Sequence, residues 1–164
     1  MADKGSHAME FSRLFRARPE AVFRAFIDPG ILGAWWAPRG WITPLVEMDV
    51  RVGGSYRFGM REQGKAGMMY VHGKYLDVRP PERLAFTYTW EAGGVGVRWE
   101  EFGLAGVETK VTLEFRERED GTEVFIRHEG FPTADGCIQH ERGWSSNWDC
   151  LEDFVVRGIV KSIF

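Results

Sequence analysis

Apolar residues follow helical spacing near the two ends of the chain and a two-residue alternation in between. Residues 10–17, EFSRLFRA, alternate apolar and polar side chains, which predicts a first strand. Residues 19–28, PEAVFRAFID, open with a proline suited to a first helical turn and place their apolar side chains on one helical face. Residues 31–38, ILGAWWAP, predict a second short helix that ends at Pro38.

The middle of the chain predicts a series of antiparallel strands. Leu84, Phe86, Tyr88 and Trp90 share one face of such a strand, and the opposite face is mostly polar. One dry face and one wet face are typical of antiparallel sheets. The predicted strands are 42–50, 54–61, 69–78, 83–91, 109–118 and 122–129.

A long helix is predicted at the end of the chain, from a cap at Asp135 to about residue 160. Its apolar stripe contains Trp144, Trp148 and Leu151, with His140 one turn earlier. A twisted meander of strands needs a partner for its dry face, and this helix supplies one. The pattern therefore predicts an α+β fold in which a curved sheet of about six or seven strands wraps around the last helix.

Two features of the strand region stay open at the level of sequence. Gly53-Gly54 predicts either a tight hairpin turn or a bulge that curves the sheet, because glycine tolerates both conformations. The alternating strand 69–78 places Tyr70 and His72 on one face and Val71, Gly73 and Tyr75 on the other, and the inward face is undecided.

Composition favours a single domain with an aromatic interior. The 164 residues include 7 Trp and 12 Phe, and the net charge is -3. There is no basic run to indicate nucleic-acid binding, and no apolar run long enough to span a membrane. Residues 1–8 are interpreted as a tag or a disordered N-terminus, and residues 10–160 as the domain.

Two cysteines bear on the cellular compartment. Cys137 and Cys150 fall in the predicted last helix, about 20 Å apart at its rise per residue, and a disulfide needs Cα atoms within ~7 Å. Free thiols predict a reducing, cytoplasmic location.

Five stretches in order resemble the START-like (SRPBCC, Bet v 1-like) superfamily, and more narrowly its activator of Hsp90 ATPase homologue 1-like branch. They span roughly residues 10–157 and read RARPEAVFRAFIDPGILGAWWAP, VGGSYRFGM, HGKYLDVRPPERLAFTYTW, GTEVFIRHEGF and HERGWSSNWDCLEDFV. The resemblance implies a helix-grip fold with two short helices after the first strand, and an internal hydrophobic cavity. Residues 91–109 depart from the family pattern, being longer and richer in glycine. They predict either a long hairpin, which we favour, or a lid over the cavity.

The candidate ligand-binding residues are apolar and aromatic positions expected to face the interior, together with two histidines. Each ring taken alone is better explained as core, but Tyr and Trp carry polar atoms that a purely apolar core avoids. His128 is the candidate general acid or base, and a hydrogen-bonded core histidine is the simpler interpretation. The set is Trp35, Trp36, Phe58, Met60, Phe86, Tyr88, Trp90, Leu113, His128, His140, Trp144 and Trp148.

These residues predict binding of a small hydrophobic or aromatic molecule, such as a lipid or metabolite, inside the fold. No metal-ligand spacing or cofactor motif is present, so neither a metal nor a cofactor is expected. The resemblance implies two alternatives, a polyketide cyclase or dehydratase and a co-chaperone of an Hsp90-type ATPase. A homodimer formed through an exposed edge strand also stays open.

Overall fold

The computed structural model describes residues 7–161, which form one sheet, three α-helices and one 3-10 helix. The elements in chain order are β1 (His7–Phe15), α1 (Pro19–Ile27), α2 (Pro29–Leu32), β2 (Trp41–Met48), β3 (Ser55–Glu62), β4 (Met69–Arg79), β5 (Arg83–Trp90), the 3-10 helix (Trp99–Phe102), β6 (Thr109–Arg118), β7 (Gly121–Phe131) and α3 (Ala134–Arg157).

The sheet has seven strands in the order β1-β7-β6-β5-β4-β3-β2, and every neighbouring pair is antiparallel. It curves around α3, so the predicted helix-grip fold is confirmed. Irregularities in strand pairing occur between Ile42 and Leu45 and between Tyr75 and Asp77. Bulges of this kind bend a strand and increase its twist, which helps the sheet to curve.

The predicted elements are all present, and most differ from the prediction only at their ends. The prediction of a second helix over 31–38 that ends at Pro38 is wrong, because α2 is Pro29–Leu32 and ends at its C-cap Gly33, a residue that favours helix ends over helix interiors. β1 begins at His7, three residues before the predicted strand, and residues 1–6 of the predicted tag lie outside the described residues. Asp135 does not cap α3. Thr133 is the N-cap, and its side-chain oxygen accepts a hydrogen bond from the Gly136 amide at 3.1 Å. An N-cap must lie just before the first turn of a helix. Asp135 already lies within the first turn of α3, so Thr133 takes the cap position.

The two open questions in the strand region are resolved. Gly53-Gly54 lies in the β2–β3 turn, where Gly53 has φ +85° and the Gly54 amide donates to the Arg51 carbonyl at 2.8 Å. A Cβ on Gly54 would lie 2.0 Å from the Asp49 carbonyl oxygen, so the turn requires glycine there. On β4, the face with Val71, Gly73 and Tyr75 is the buried one.

The outer face of the sheet carries ion pairs. His72 contacts Glu91 at 3.0 Å, and Arg57 binds the same carboxylate through two hydrogen bonds of 2.9 Å. α3 is the longest helix in the described range, and neither it nor any other helix there has the apolar length of a bilayer crossing.

Candidate functional site

A cavity of about 280 Å³ lies between α3 and the strands β3 to β5, and it is partly open to solvent. This volume is just below the ~300–1,000 Å³ typical of ligand pockets, so the cavity suits a small molecule. The apolar lining consists of Trp36, Ala37, Pro38, Trp41, Met60, Met69, Tyr88, Trp90, Val97, Trp99, Gly143 and Trp144. The polar lining consists of Gln139, His140, Arg142, Ser146 and Asn147.

Tryptophan rings form much of the cavity wall. Trp90 and Trp99 stack with ring centroids 4.6 Å apart and planes 14° apart, and Trp36 meets Trp144 edge to face at 5.3 Å. Each of these four rings also packs against a further aromatic residue. Such a surface offers flat apolar faces at a low entropic cost.

The segment 91–109 covers one end of the cavity. Its 3-10 helix carries Trp99, and Val97 and Trp99 both line the cavity. The Val95 amide donates to the Met68 carbonyl at 3.0 Å, which ties the segment to the start of β4. The favoured interpretation as a plain hairpin is therefore incomplete, because the segment adds a wall that an extended hairpin would not supply.

His140 on α3 is held as a neutral imidazole. Its Nε2 accepts the indole N–H of Trp90 at 2.8 Å, so its proton lies on Nδ1, which donates to the Gly136 carbonyl at 2.8 Å. Burial lowers the pKa of His140 from its ordinary value to about 4. Protonation would place a hydrogen on Nε2, where the indole already donates.

His128 on β7 is fully buried, and the donor and acceptor roles of its two ring nitrogens are the reverse of those in His140. Its Nδ1 accepts the indole N–H of Trp144 at 3.0 Å, and its Nε2 donates to the Thr109 hydroxyl at 2.7 Å. That hydroxyl donates onward to the Tyr88 carbonyl at 2.8 Å. Burial, and secondarily the nearby His140, lowers the pKa of His128 well below its ordinary value.

This arrangement leaves no nitrogen of His128 free for catalysis. A general base needs an unshared lone pair within reach of a substrate proton. The lone pair on Nδ1 is occupied by Trp144, and His128 is not among the residues that line the cavity. His128 thus lies in the core with both ring nitrogens hydrogen-bonded, and its Nδ1 accepts from Trp144.

The structure brings together half of the candidate residues at the cavity. Those that line it are Trp36, Met60, Tyr88, Trp90, His140 and Trp144. The others, Trp35, Phe58, Phe86, Leu113, His128 and Trp148, pack inside the core.

The core positions pack against identified neighbours, although the buried indole N–H of Trp148 has no hydrogen-bond partner within the described residues. The Trp35 indole donates to the Ala25 carbonyl at 3.0 Å, and Trp148 packs edge to face on Phe11 and Phe15. Phe58 and Phe86 border a void of about 10 Å³, which holds at most one water. These six positions therefore contribute packing.

Sequence reasoning missed several lining residues on α3 and in the loop after α2. Asn147 is buried, and its Oδ1 accepts the amide of Ala37 at 3.0 Å. Ala37 has φ +92°, a conformation that non-glycine residues rarely adopt, so this bond fixes a strained part of the wall. The spacing Gln139, Gly143, Asn147 places these residues on one face of α3, and this was the available signal.

Lys161, the last residue that the structure describes, forms hydrogen bonds to the same part of the cavity wall. Its Nζ donates to the carbonyls of Ala37, Pro38 and Trp41 at 2.7, 2.8 and 2.6 Å. All three of those residues line the cavity. One ammonium group thus binds three carbonyl groups of the segment 37–41, of which the Pro38 carbonyl also accepts the Trp41 amide at 3.0 Å.

We expect Lys161→Met to lower the free energy of unfolding by about 2 kcal/mol, because it removes three charge-assisted hydrogen bonds but keeps the apolar stem. Urea unfolding measures the change. Lys65→Met is the control, because Lys65 forms only an exposed pair with Glu62 and is expected to change stability by less than about 0.5 kcal/mol. Equal effects from the two variants would show that water replaces the ammonium group without loss.

Metal and thiol chemistry have no visible support in the described range. No group of three His, Cys, Asp or Glu side chains within residues 7–161 is arranged to hold a metal ion. Cys137 and Cys150 are both free, as the spacing predicts.

Comparisons with known proteins agree with this architecture. Residues 16–155 match the family model described as Activator of Hsp90 ATPase homolog 1-like protein. A crystal structure from Chromobacterium violaceum is 28% identical, with 90% of this chain and 96% of that chain covered and a TM-score of 0.77. A family-named structure from Silicibacter pomeroyi is 23% identical, with coverage of 93% and 99% and a TM-score of 0.76. No curated protein sequence gives a significant match.

The family match spans most of the chain, and the two structures share its fold along nearly their whole length. The chain belongs to the Activator of Hsp90 ATPase homolog 1-like protein family, within the START-like superfamily.

Proposed function

We propose that this chain binds a small apolar or aromatic molecule in the cavity between the sheet and α3. The observation that carries this proposal is a space of about 280 Å³ walled by tryptophan rings. A well-packed core leaves few voids larger than a water, so a cavity of this size costs stability unless a ligand uses it. The superfamily fold, which commonly encloses hydrophobic ligands, supports the same function.

Binding without catalysis fits the polar groups better than the cyclase alternative. The two buried histidines have both nitrogens engaged in hydrogen bonds, so neither offers the positioned acid or base that such a reaction requires. The co-chaperone alternative has support only from the family's name, and a shared fold does not carry a shared partner.

A neutral aromatic probe tests the proposal. N-phenyl-1-naphthylamine becomes fluorescent in apolar surroundings, and we expect saturable binding with a Kd on the order of 10 µM, since compact apolar ligands gain roughly 0.4 kcal/mol for each heavy atom. Native mass spectrometry should show one probe for each chain. The absence of saturation, together with an unshifted mass, would contradict a ligand-binding cavity.

A further inference from the structure

The charge of the cavity lining is one-sided. The lining contains Arg142 and no aspartate or glutamate, although the chain has more acidic residues, 24, than basic ones, 21. A surface of average composition would place carboxylates at such a mouth. This lining therefore has a net positive charge within a chain that is negative as a whole.

Arg142 differs from the arginines that contact the same helix elsewhere. Arg13 forms an ion pair with Asp149 at 2.8 Å, and Arg39 forms one with Asp153 at 2.9 Å. Within residues 7–161, Arg142 has no carboxylate at ion-pair distance, and it is exposed at the cavity mouth. Its five N–H donors are thus available to a ligand.

The buried polar groups of the lining are also donors. The Oδ1 of Asn147 is occupied by Ala37, which leaves its amide N–H₂ without a partner in the part of the chain that the structure describes. The indole N–H of Trp99 also has no partner in that part, but its nitrogen has almost no accessible surface and lies out of reach of a ligand in the cavity. The Asn147 amide is therefore a neutral donor that an acceptor group on a ligand can bind.

Three acceptor atoms of the lining are already used, whereas the Gln139 amide and the Tyr88 hydroxyl can each donate as well as accept. The Nε2 of His140 accepts from Trp90, and the Oδ1 of Asn147 accepts from Ala37. The Ser146 hydroxyl oxygen accepts the Arg39 amide at 3.1 Å. The Arg142 guanidinium and the Asn147 amide N–H₂ supply donors, and no carboxylate lies in the lining to hold a cation, so the cavity favours a ligand with an electron-rich, acceptor end.

We propose that the ligand is an aromatic acid, with its ring system against Trp36, Trp90 and Trp144 and its anionic group toward Arg142. This inference rests on the proposed function and specifies the substrate class of the same cavity. The anion lies at the mouth, where it stays partly hydrated, and the rings enter the apolar interior. The Arg142 interaction is partly screened there and is worth about five- to tenfold in affinity.

A matched pair of probes separates the two proposals. N-phenyl-1-naphthylamine is neutral, and 8-anilino-1-naphthalenesulfonate has the same ring skeleton with an added sulfonate. We expect the sulfonate to bind the native chain more tightly, and Arg142→Gln to weaken it five- to tenfold, a larger factor than for the neutral probe. Arg142→Lys should restore most of the loss, and a rise in salt to 0.5 M should weaken only the anion.

Arg16→Gln is the matched control. Arg16 is exposed, has no ion pair within the described range and lies outside the cavity, so its loss changes the net charge equally. An equal effect of the two variants on the sulfonate would overturn the inference, because it would assign the preference to overall charge. Binding of the neutral probe with no preference for the anion would also overturn it, while leaving the proposed function intact. Failure of both probes would overturn both proposals.

Discussion

The free energy of unfolding is expected to fall by about 4 kcal/mol between pH 7.5 and pH 5, because His128 and His140 stay neutral in the folded chain. Each contributes about 2 kcal/mol, which follows from an unfolded pKa near ~6.5 and about 1.4 kcal/mol for each pKa unit. This is the largest pH effect that the described residues indicate.

The sign follows from proton binding. The folded-state pKa of His140 is lowered to about 4 and that of His128 lies well below its ordinary value. As the pH falls below about 6.5, the unfolded chain takes up protons on both histidines and the folded chain does not. Stability is therefore fully present above that pH and is lost progressively down to about pH 4, where His140 begins to protonate in the folded state.

Urea unfolding at half-unit pH steps measures this slope. His140→Gln should halve it, since a glutamine oxygen can still accept from Trp90 but does not titrate. His72→Gln is the control, because His72 lies exposed on the outer face of the sheet and interacts with Glu91. Equal stability of the native chain at pH 7.5 and pH 5 would contradict the neutral, buried state of the two histidines.

The tautomers give an independent measurement. The hydrogen bonds assign the proton to Nε2 in His128 and to Nδ1 in His140. Imidazole ¹⁵N chemical shifts distinguish these two forms directly. We expect both neutral forms to persist at pH 5.5, and a protonated ring at that pH would count against the stability slope as well.

The alternation of apolar and polar residues predicted most of the strands and their buried faces. In β5, Leu84, Phe86, Tyr88 and Trp90 alternate with smaller and more polar residues, and all four are buried as expected. Period-two alternation encodes a face because one side of the sheet must be covered. The same information cannot place helix caps, which is why the predicted cap, Asp135, lies two residues beyond the observed one, Thr133.

The cavity itself was less accessible to sequence reasoning. Trp35 and Trp36 are neighbours with the same composition signal, yet one lies in the core and the other lines the cavity. A cavity is the space that several elements leave unfilled, so no single pattern encodes it. Trp99 was missed because its irregular segment has no periodicity, and Arg142 was missed because it lies at the mouth and outside the apolar stripe.

Gly143→Phe is expected to weaken binding of the neutral probe strongly while leaving the chain at least as stable. Gly143 lies within α3 and lines the cavity, and a Cβ built on it meets no atom within 4 Å. Its backbone is helical, so a side chain causes no strain there. An apolar ring at this position fills the space that the ligand requires, and we expect the affinity to fall at least about thirtyfold.

The free energy of unfolding of Gly143→Phe should rise while its affinity for the probe falls. Replacing a glycine inside a helix with phenylalanine gains about 0.5 kcal/mol in helix propensity, and burying the ring adds to this gain. Most substitutions that remove a binding site do so by destabilising the fold, which lowers both quantities together. A loss of binding combined with a gain in stability therefore identifies an occupied cavity and excludes a damaged structure.

Gly143→Ala separates propensity from filling. Alanine should gain about 1 kcal/mol from the helix and leave the probe's affinity nearly unchanged, because a methyl group occupies little of the 280 Å³. Urea unfolding and probe titration of the two variants provide the four values needed. If Gly143→Phe is stable and still binds the probe as the native chain does, the probe occupies another surface, and the tryptophan-lined cavity is not the binding site.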